Sequence, residues 1–456
     1  MPHFIGGTMP WERGPRWWYR LARVCQRWRK LILGSASYLG LSLVCTNGVP
    51  IANMLAHSPS LPLTVDYGGR NGITAEDEKG ILLALKQRHR VRHLRLLYPV
   101  HDLQKFVMAI DEEFPILEYL IMWSPLKENT VLTLPETLQA PRLRHLSLTV
   151  FACPIRPRLH PTAAGLVTLC LTMIHPSAYF QPSILLQWIS FMPQLENLRI
   201  AFSFPFPNRD VERQLTHIPI TTYITLPNLR SFWFQGVSAY LEAVICRITT
   251  PRLEELQIQF FEQLTFSIPR LSQFMNITES LRFDNAEIML KDKQIHVAMF
   301  LREADTYAFS VMVDCCHLDW QVSSMAQISN ALSQAFSAVE HLVLGHEVHS
   351  LSSEEHNNLD RIEWRNLFRS FSNVKTLHVN DGFVEELSRY LGSEDGVLPL
   401  ELLPELQELH TYSGSADAAS GDASTPFINA RQNAGRPVTL VRHGPREPPA
   451  IHVDKP

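Results

Sequence analysis

One short apolar pattern returns ten times along the chain and constrains the fold more than any other feature. The pattern is Φ-x-x-Φ-x-Φ, in which Φ is an apolar residue, as in RVRHLRL and APRLRHLSL. The middle apolar residue gives each copy a register mark, and the first six spacings are 26, 26, 23, 29, 34 and 24 residues. The marks are Leu94, Leu120, Leu146, Leu169, Leu198, Phe232, Leu256, Leu342, Leu377 and Leu409.

Helical stretches precede these copies, so the repeating unit combines a helix with a strand. Apolar residues three and four apart recur in TAEDEKGILLALKQR, HDLQKFVMAIDEE and RIEWRNLFRSF, and Thr74 with Asp77 forms a helix-capping pair. The dipeptides FP, AP, MP and LP then end the helices, because proline lacks the amide donor. A unit of this size cannot bury its own apolar face, whereas stacked units can. The sequence therefore predicts an α/β solenoid with parallel strands on one face and helices on the other.

The L-x-x-L-x-L core resembles the strand of leucine-rich repeats. The units are longer than the ~20–29 residues of that family, and an Asn or Cys just past the strand is mostly missing. The resemblance implies an irregular leucine-rich-repeat-like curved solenoid over residues 38–441, with its strands as parallel neighbours and with Leu146 and Leu256 buried. The register fades over 284–335, where we expect an insertion or a break.

The two ends of the chain differ in composition from the repeats. Residues 1–16 indicate a disordered leader, and 442–456 a proline-rich disordered tail. Before the tail, a low-complexity loop occupies 413–425. The segment PFINARQNAGRPVTLV then predicts a last helix, a C-cap at Gly435 and a final strand.

Charge and cysteine content exclude several protein classes. The 456 residues carry a formal net charge of −4, which gives no general attraction to nucleic acid or anionic membranes. The seven cysteines include no C-x-x-C pair, which is typical of a reducing compartment. The apolar segment 31–45 is shorter than the ~20 residues that span a bilayer. We expect a cytoplasmic or nuclear protein with no membrane partner.

The segment WWYRLARVCQRWRKLI, residues 17–32, departs from this balance because it is both basic and aromatic. Helical spacing places apolar residues on one face and arginines on the other. We expect Trp28 to be largely buried and Trp17 and Trp18 to be more exposed. Three roles compete: a nucleic-acid contact, a targeting segment, and a docking element for another protein. The simplest structural interpretation is a cap on the open end of the solenoid. The apolar face comprises Leu21, Val24, Cys25, Trp28, Leu31 and Ile32.

The segment LARVCQRWRKLILGSASYL resembles the second half of an F-box, and the repeats that follow resemble those of basidiomycete fungal F-box proteins. An F-box normally opens with a leucine-proline dipeptide and an acidic first helix, where this chain has MPHFIGGTMPWERGPR. Residues 17–37 therefore resemble the helices of an F-box truncated at its N-terminal side.

The F-box resemblance implies a substrate-recognition adaptor of an SCF-type ubiquitin ligase. The remnant would dock the Skp-type adaptor, weakened by the missing first helix, and the repeats would bind a protein substrate. A plain leucine-rich-repeat scaffold without a ubiquitin link remains an alternative. Nucleic-acid contact is a second alternative, disfavoured because Trp28 lies away from the arginines. The residues matching a docking role are Trp17, Trp18, Leu21, Val24, Cys25, Trp28 and Leu31.

The sequence contains few residues in arrangements typical of catalysis, so we expect no enzymatic activity, no catalytic residues, no cofactor and no metal site. The sequence has no P-loop, G-x-G-x-x-G, G-x-S-x-G or H-E-x-x-H motif. In Cys315-Cys316-His317 the adjacent cysteines point to opposite faces of a strand. His346 and His349 have the wrong spacing for one helix face. Acidic runs at 76–78 and 111–113 lie at helix ends, where capping explains them.

Overall fold

The described residues of the computed structural model form two compact units, one within residues 1–207 and the other within 208–453. Both units are mixed α/β structures built on a large, mostly parallel sheet. The described ranges are 23–35, 41–57, 60–69, 72–124, 131–152, 163–203, 223–261, 263, 265–278, 280–281, 283–291, 293–301, 307–315, 318–346, 358–380, 402–412 and 425–443.

The described residues of the first unit form seven strands that pair in chain order, each parallel to the next. They are β1 (Leu43–Cys45), β2 (Leu63–Gly68), β3 (Val91–Leu97), β4 (Tyr119–Trp123), β5 (His145–Thr149), β6 (Thr168–Ile174) and β7 (Asn197–Phe202). Its described helices are α1 (Gln26–Gly34), α2 (Ile51–His57), α3 (Ala75–Leu85), α4 (Val100–Ala109) and α5 (Pro182–Ile189).

The register of these strands follows the leucines that mark the repeats. Leu94 pairs with Leu120, Leu120 with Leu146, and so on through Leu169 to Leu198. All five leucines are buried, and the residues between them on each strand face the other side of the sheet. The predicted strand positions and their parallel pairing are confirmed in this unit.

The described residues of the second unit form a sheet of nine strands in the order β9-β11-β14-β13-β12-β15-β16-β17-β18, and a separate parallel pair, β8 with β10. The strands are β8 (Ile224–Thr225), β9 (Ser231–Gly236), β10 (Ile248–Thr249), β11 (Glu255–Phe260), β12 (Asn285–Lys291), β13 (Gln294–Phe300), β14 (Phe309–Asp314), β15 (His341–His346), β16 (Thr376–Asn380), β17 (Glu408–Tyr412) and β18 (Thr439–His443). The described helices are α6 (Ser238–Ile245), α7 (Pro269–Ile277), α8 (Leu318–Ala331), α9 (Ser333–Phe336), α10 (Asn358–Arg369) and α11 (Thr425–Asn433).

An antiparallel meander, strands β12 to β14, interrupts the repeats of the second unit. β13 pairs antiparallel with both β12 and β14, while β14 pairs parallel with β11 and β12 pairs parallel with β15. The prediction that 256–258 and 342–344 lie on neighbouring strands is therefore wrong, because three strands separate them. Apolar periodicity reports which face is buried and carries no information on strand direction.

Two helices have capping residues at the positions that the sequence predicts. The Thr74 hydroxyl accepts a hydrogen bond from the Asp77 backbone N–H, 3.1 Å away, at the start of α3. Gly435 adopts a positive φ of 78° after α11, a backbone conformation that favours glycine. Leu256 in β11 is fully buried, as expected of a register mark.

Helices pack against the sheet in each unit, α3 against β1 and β2 and α8 against β13 and β14. No helix among the described residues is long and apolar enough to cross a membrane. The expected leader 1–16, most of the expected loop 413–425 and the segment 444–456 lie outside the described residues.

Candidate functional site

Helix α1 starts later than the spacing of the opening segment predicts. The helix begins at Gln26, and Cys25 precedes it as the N-cap, with its Sγ accepting from the Trp28 backbone N–H at 3.5 Å. Val24 lies in the turn before the cap. Trp17, Trp18 and Leu21 lie outside the described residues, so their expected role in docking is untested.

The apolar face of this helix is open rather than packed. On the helix, Trp28 is 46% and Leu31 61% exposed, and these two lie three residues apart on one face. Val24, in the turn before the helix, is 65% exposed. The expected burial of Trp28 is wrong. Ile32, in the last turn, is the one buried residue of this nine-residue helix, so the helix packs only at its C-terminal end and Trp28 lies one turn before that contact.

Basic side chains surround this exposed face. Arg23, Arg27, Arg29 and Lys30 are all exposed, and the segment 23–35 contains no acidic residue. The arrangement therefore presents a tryptophan and two aliphatic side chains within a positively charged rim. Such a surface suits a partner with an apolar groove bordered by carboxylates.

The face of the first sheet opposite the buried register leucines carries a row of three rings, which we call the first ladder: His93, Tyr119 and His145. They occupy paired positions on β3, β4 and β5. The His93 and Tyr119 ring centroids are 4.7 Å apart in an edge-on arrangement, and the Tyr119 and His145 rings stack at 4.1 Å. Thr64 Oγ1 lies 3.2 Å from His93 Nδ1.

Electrostatics keep the first ladder neutral. Burial, then the nearby Arg92, then His145, lower the pKa of His93 to about 4. Burial and Arg144 likewise lower the pKa of His145. The ladder is thus an uncharged aromatic strip at neutral pH.

In the second sheet, the face opposite the register leucines carries a larger group, the second ladder: His378, His410, Tyr412 and His443, on β16 to β18. His378 Nδ1 lies 2.9 Å from the Tyr412 hydroxyl, and His410 Nδ1 lies 2.8 Å from His443 Nε2. The Tyr412 and His443 rings stack at 4.6 Å. Burial, followed by His410, His341 and His443, lowers the pKa of His378 to about 4.

One carboxylate joins the second ladder. Glu408 Oε2 lies 3.1 Å from His410 Nε2. His410 therefore has a polar partner at each ring nitrogen, a carboxylate on one side and an imidazole on the other. Among the described residues, no three histidine, cysteine or carboxylate side chains converge as a metal-binding set.

A serine–histidine pair lies on the antiparallel meander. His296 Nε2 is 2.8 Å from Ser310 Oγ. Ser310 is only 2% exposed, so a substrate cannot reach the hydroxyl in this conformation. The contact satisfies two polar groups on a buried strand face.

The other motifs that could carry chemistry either have structural roles or lie outside the described residues. Asp77 donates its backbone N–H to the Thr74 hydroxyl that caps α3, and Glu78 Oε2 lies 2.9 Å from Lys105 Nζ, while Glu112 pairs with Arg88. Cys315 is buried. Cys316, His317, residues 347–349 and the His346 side chain lie outside the described part of the chain.

The ladders escaped the sequence analysis, although the repeats contain their signal. In RHL, EYL and RHL a ring precedes the register leucine, and in LHV and LHT a histidine follows it. These positions lie on the opposite face of the strand from the leucine, so successive repeats bring the rings side by side. A comparison of the polar positions of successive repeats identifies these rings from the sequence, just as a comparison of the apolar positions identifies the register leucines.

Comparisons with known proteins leave the family open. No protein-family model matches the chain, and no curated protein matches it. A solved structure that it resembles is the leucine-rich-repeat-containing protein LegL7 from Legionella pneumophila, with 11% identity and a TM-score of 0.29. That match covers 87% of this chain and 98% of LegL7.

Proposed function

We propose that this chain is a non-enzymatic protein-interaction scaffold that docks onto the Skp-type adaptor of an SCF ubiquitin ligase and presents a protein substrate. The exposed apolar face of α1 carries the proposal. The sequence resemblance of this segment to the second half of an F-box supports the choice of partner. This role belongs to the cytoplasm or nucleus.

The energetics of α1 favour a docking role over a cap. A helix that served only to cover the end of a sheet would bury its large apolar side chains, and Trp28 and Leu31 are open. A tryptophan and neighbouring aliphatic groups are typical anchors when a helix enters a groove. The positive rim favours an acidic partner and speeds encounter with it.

The repeats supply the second surface. On the sheet faces opposite the register leucines, the strands place polar and aromatic side chains at regular intervals, as a recognition surface requires. The first ladder offers neutral rings that present apolar faces and polar edges, which is the composition of protein-binding centres. The identity of the substrate does not follow from these residues.

The test is a pull-down of purified Skp-type adaptor with the full chain. A Trp28→Ala/Leu31→Ala variant removes two anchors, and a Met108→Ala/Ile277→Ala variant, exposed apolar residues on α4 and α7, is the matched control. Loss of half or more of the captured adaptor in the first variant alone supports the proposal. A third variant, in which a complete first F-box helix is added to this chain, should bind the adaptor at least tenfold more tightly.

The outcomes separate the proposed role from its alternatives. Capture that is equal for wild type, anchor variant and control would reject docking through α1. Absence of capture even with the added helix would reject the ubiquitin-ligase link and leave a plain repeat scaffold. Loss of RNA or DNA binding in an Arg23→Gln/Arg27→Gln variant, with no adaptor capture by wild type, would favour the nucleic-acid alternative.

A further inference from the structure

Three neighbouring strands of the second unit, β9, β11 and β14, carry negative charge on the face opposite the register marks. Buried apolar residues alternate with partly exposed ones on β9 and β11, which places Trp233, Glu255 and Gln257 on that face. The three strands contain no lysine, arginine or histidine, and their acidic residues are Glu255 and Asp314. The charge of these strands therefore favours a basic ligand.

Two hydrogen bonds hold the Glu255 carboxylate in one orientation. Its Oε2 accepts from the Ser231 hydroxyl on β9 at 2.7 Å, and its Oε1 accepts from the Gln257 amide. An ionised carboxylate has about two acceptor positions on each oxygen, so each oxygen of Glu255 keeps one position for a further donor. A guanidinium group binds a carboxylate through two parallel N–H donors, one to each oxygen. The carboxylate of Glu255 is thus oriented with both of the acceptors that an arginine requires.

The neighbouring glutamates 254 and 255 differ in their charge partners. Glu254 Oε1 lies 3.0 Å from Arg230 Nη1, and 63% of the Glu254 side chain is exposed. The described hydrogen-bond partners of Glu255 are a hydroxyl and an amide, which are both neutral. Glu255 is half-buried, so solvent screens its charge less than it screens the charge of Glu254. An arriving cation therefore gains more at Glu255.

Trp233 supplies an aromatic surface beside this carboxylate. Trp233 pairs with Gln257 across β9 and β11, and Ser231 pairs with Glu255 two residues earlier. The indole is thus one diagonal step from the carboxylate on the same face, a separation that aromatic and long side chains span. An arginine guanidinium stacks on a tryptophan face while its N–H groups bond a carboxylate, whereas a lysine ammonium is a compact point charge.

We propose that Trp233 and Glu255 bind an arginine side chain of the protein substrate, with the guanidinium stacked on the indole and paired with both carboxylate oxygens. Because the site rests on the proposed substrate-presenting role, the substrate must carry an exposed arginine. Ser231 and Gln257 position the carboxylate from either side. Residues of the substrate that flank its arginine lie along the neighbouring positions of β9, β11 and β14.

The experiment selects peptides that have a fixed central arginine and randomised flanks on the immobilised full chain. The affinity of the strongest peptide is then measured in solution by fluorescence anisotropy. Replacing its arginine with citrulline, which keeps the shape without the charge, should weaken binding about 10- to 100-fold. Lysine should bind more weakly than arginine and more tightly than citrulline, because it keeps the charge without the planar fork. Free L-arginine should compete poorly, since it lacks the flanking residues.

Two adjacent glutamates give a matched pair of variants. Glu255→Gln should weaken binding of the selected peptide by about tenfold or more, because the charge is lost while the side-chain length is kept. Glu254→Gln should change the affinity by about twofold or less, because this exposed carboxylate already has Arg230 as its partner.

The aromatic surface is tested separately from the charge. Trp233→Leu should weaken binding by removing the stacking face, and Trp233→Phe, which keeps a smaller ring, should fall between that variant and wild type. Thermal melts show whether each variant is folded. The phenylalanine variant keeps the test decisive if the leucine variant fails to fold.

Four results would overturn the proposal. Failure to select any peptide is the first, and equal affinity for arginine and citrulline peptides is the second. The third is an equal loss in Glu254→Gln and Glu255→Gln, which would indicate a diffuse negative field rather than a site. Free L-arginine that competes as strongly as the selected peptide is the fourth, because it would indicate a small-molecule site.

Peptide binding and adaptor capture are separate measurements on the wild-type chain. Arginine-specific binding without adaptor capture would support the site at Trp233 and Glu255 and reject only the ubiquitin-ligase link. Adaptor capture without arginine-specific binding would reject only the site.

Discussion

The two ladders occupy equivalent faces of the two sheets, yet they have different chemistry. In the first ladder the rings lie in one row, one ring per strand, and arginines flank them. In the second ladder the rings occupy two rows, and their nitrogens contact a hydroxyl, a carboxylate and each other. Rings beside a register leucine therefore form a row of edge-on and stacked contacts in the first unit, and a network of hydrogen-bonded imidazoles in the second.

The largest effect should come from the core beneath each ladder. Leu146 lies under the first ladder and Leu377 under the second, and both are buried register marks. Either leucine replaced with alanine should lower the free energy of unfolding by about 2–5 kcal/mol, through lost transfer energy and a cavity. Urea denaturation followed by circular dichroism measures this loss.

The exposed Met108→Ala variant is the control for this pair, and it should change stability by no more than about 0.5 kcal/mol. Similar losses at both leucines would show that the two ladders rest on equally packed cores. A loss at one site as small as that of the control would show that its sheet is not held by the repeat core.

An intermediate effect should distinguish the first ladder by its pH dependence. The pKa of His93 is about 4 in the folded chain against 6.5 when unfolded, so the unfolded chain binds the proton more readily. The stabilisation is present above about pH 6.5 and is lost as the pH falls toward 4, by at most about 1.4 kcal/mol per pH unit. Thermal melts of wild type and His93→Gln across this window measure it.

The variant His93→Gln should have the flatter profile. Arg92→Gln should fall between the two, because removing the neighbouring positive charge raises the pKa of His93 toward its ordinary value. Identical profiles for all three proteins would mean that His93 does not titrate differently on folding.

The smallest effect should come from the ion pairs beside each ladder. Arg95 and Asp66 lie 3.2 Å apart with both side chains 25% exposed, whereas Lys375 and Glu340 lie 2.8 Å apart at 45% exposure. Double-mutant cycles should give coupling energies of about 0–1 kcal/mol, larger for the less exposed first pair. The reverse order would mean that distance outweighs solvent screening at these sites.

The apolar register of the fold could be predicted, because each buried strand repeats one pattern. Leu94, Leu120 and Leu146 pair with one another as their spacing indicates. The same holds in the second unit for Leu342, Leu377 and Leu409. Burial on one face of a strand is a local property that a short motif encodes.

The meander and the α1 surface could not be predicted, for separate physical reasons. Apolar residues alternate in the same way along a parallel and an antiparallel strand, so the pattern does not indicate strand direction. The antiparallel pairing of β13 with β12 and β14 depends on tertiary contacts instead. The exposure of Trp28 depends on where the helix starts and on how little of it meets the sheet. The second ladder depends on ring orientations that a sequence pattern leaves open.

The meander has a consequence for the order in which the second unit folds. Three strands that reverse twice leave β12 and β15 parallel, so the repeats resume with the same polarity. However, β11 pairs with β14, where residue 256 meets residue 309, about twice the sequence distance that separates ordinary neighbours. Each doubling of a closed loop costs about 0.6 kcal/mol of chain entropy. Structure that spreads from repeat to repeat therefore closes a longer loop at β11–β14 than between ordinary neighbours, and early formation of the β12–β13 hairpin, a local element, shortens that loop.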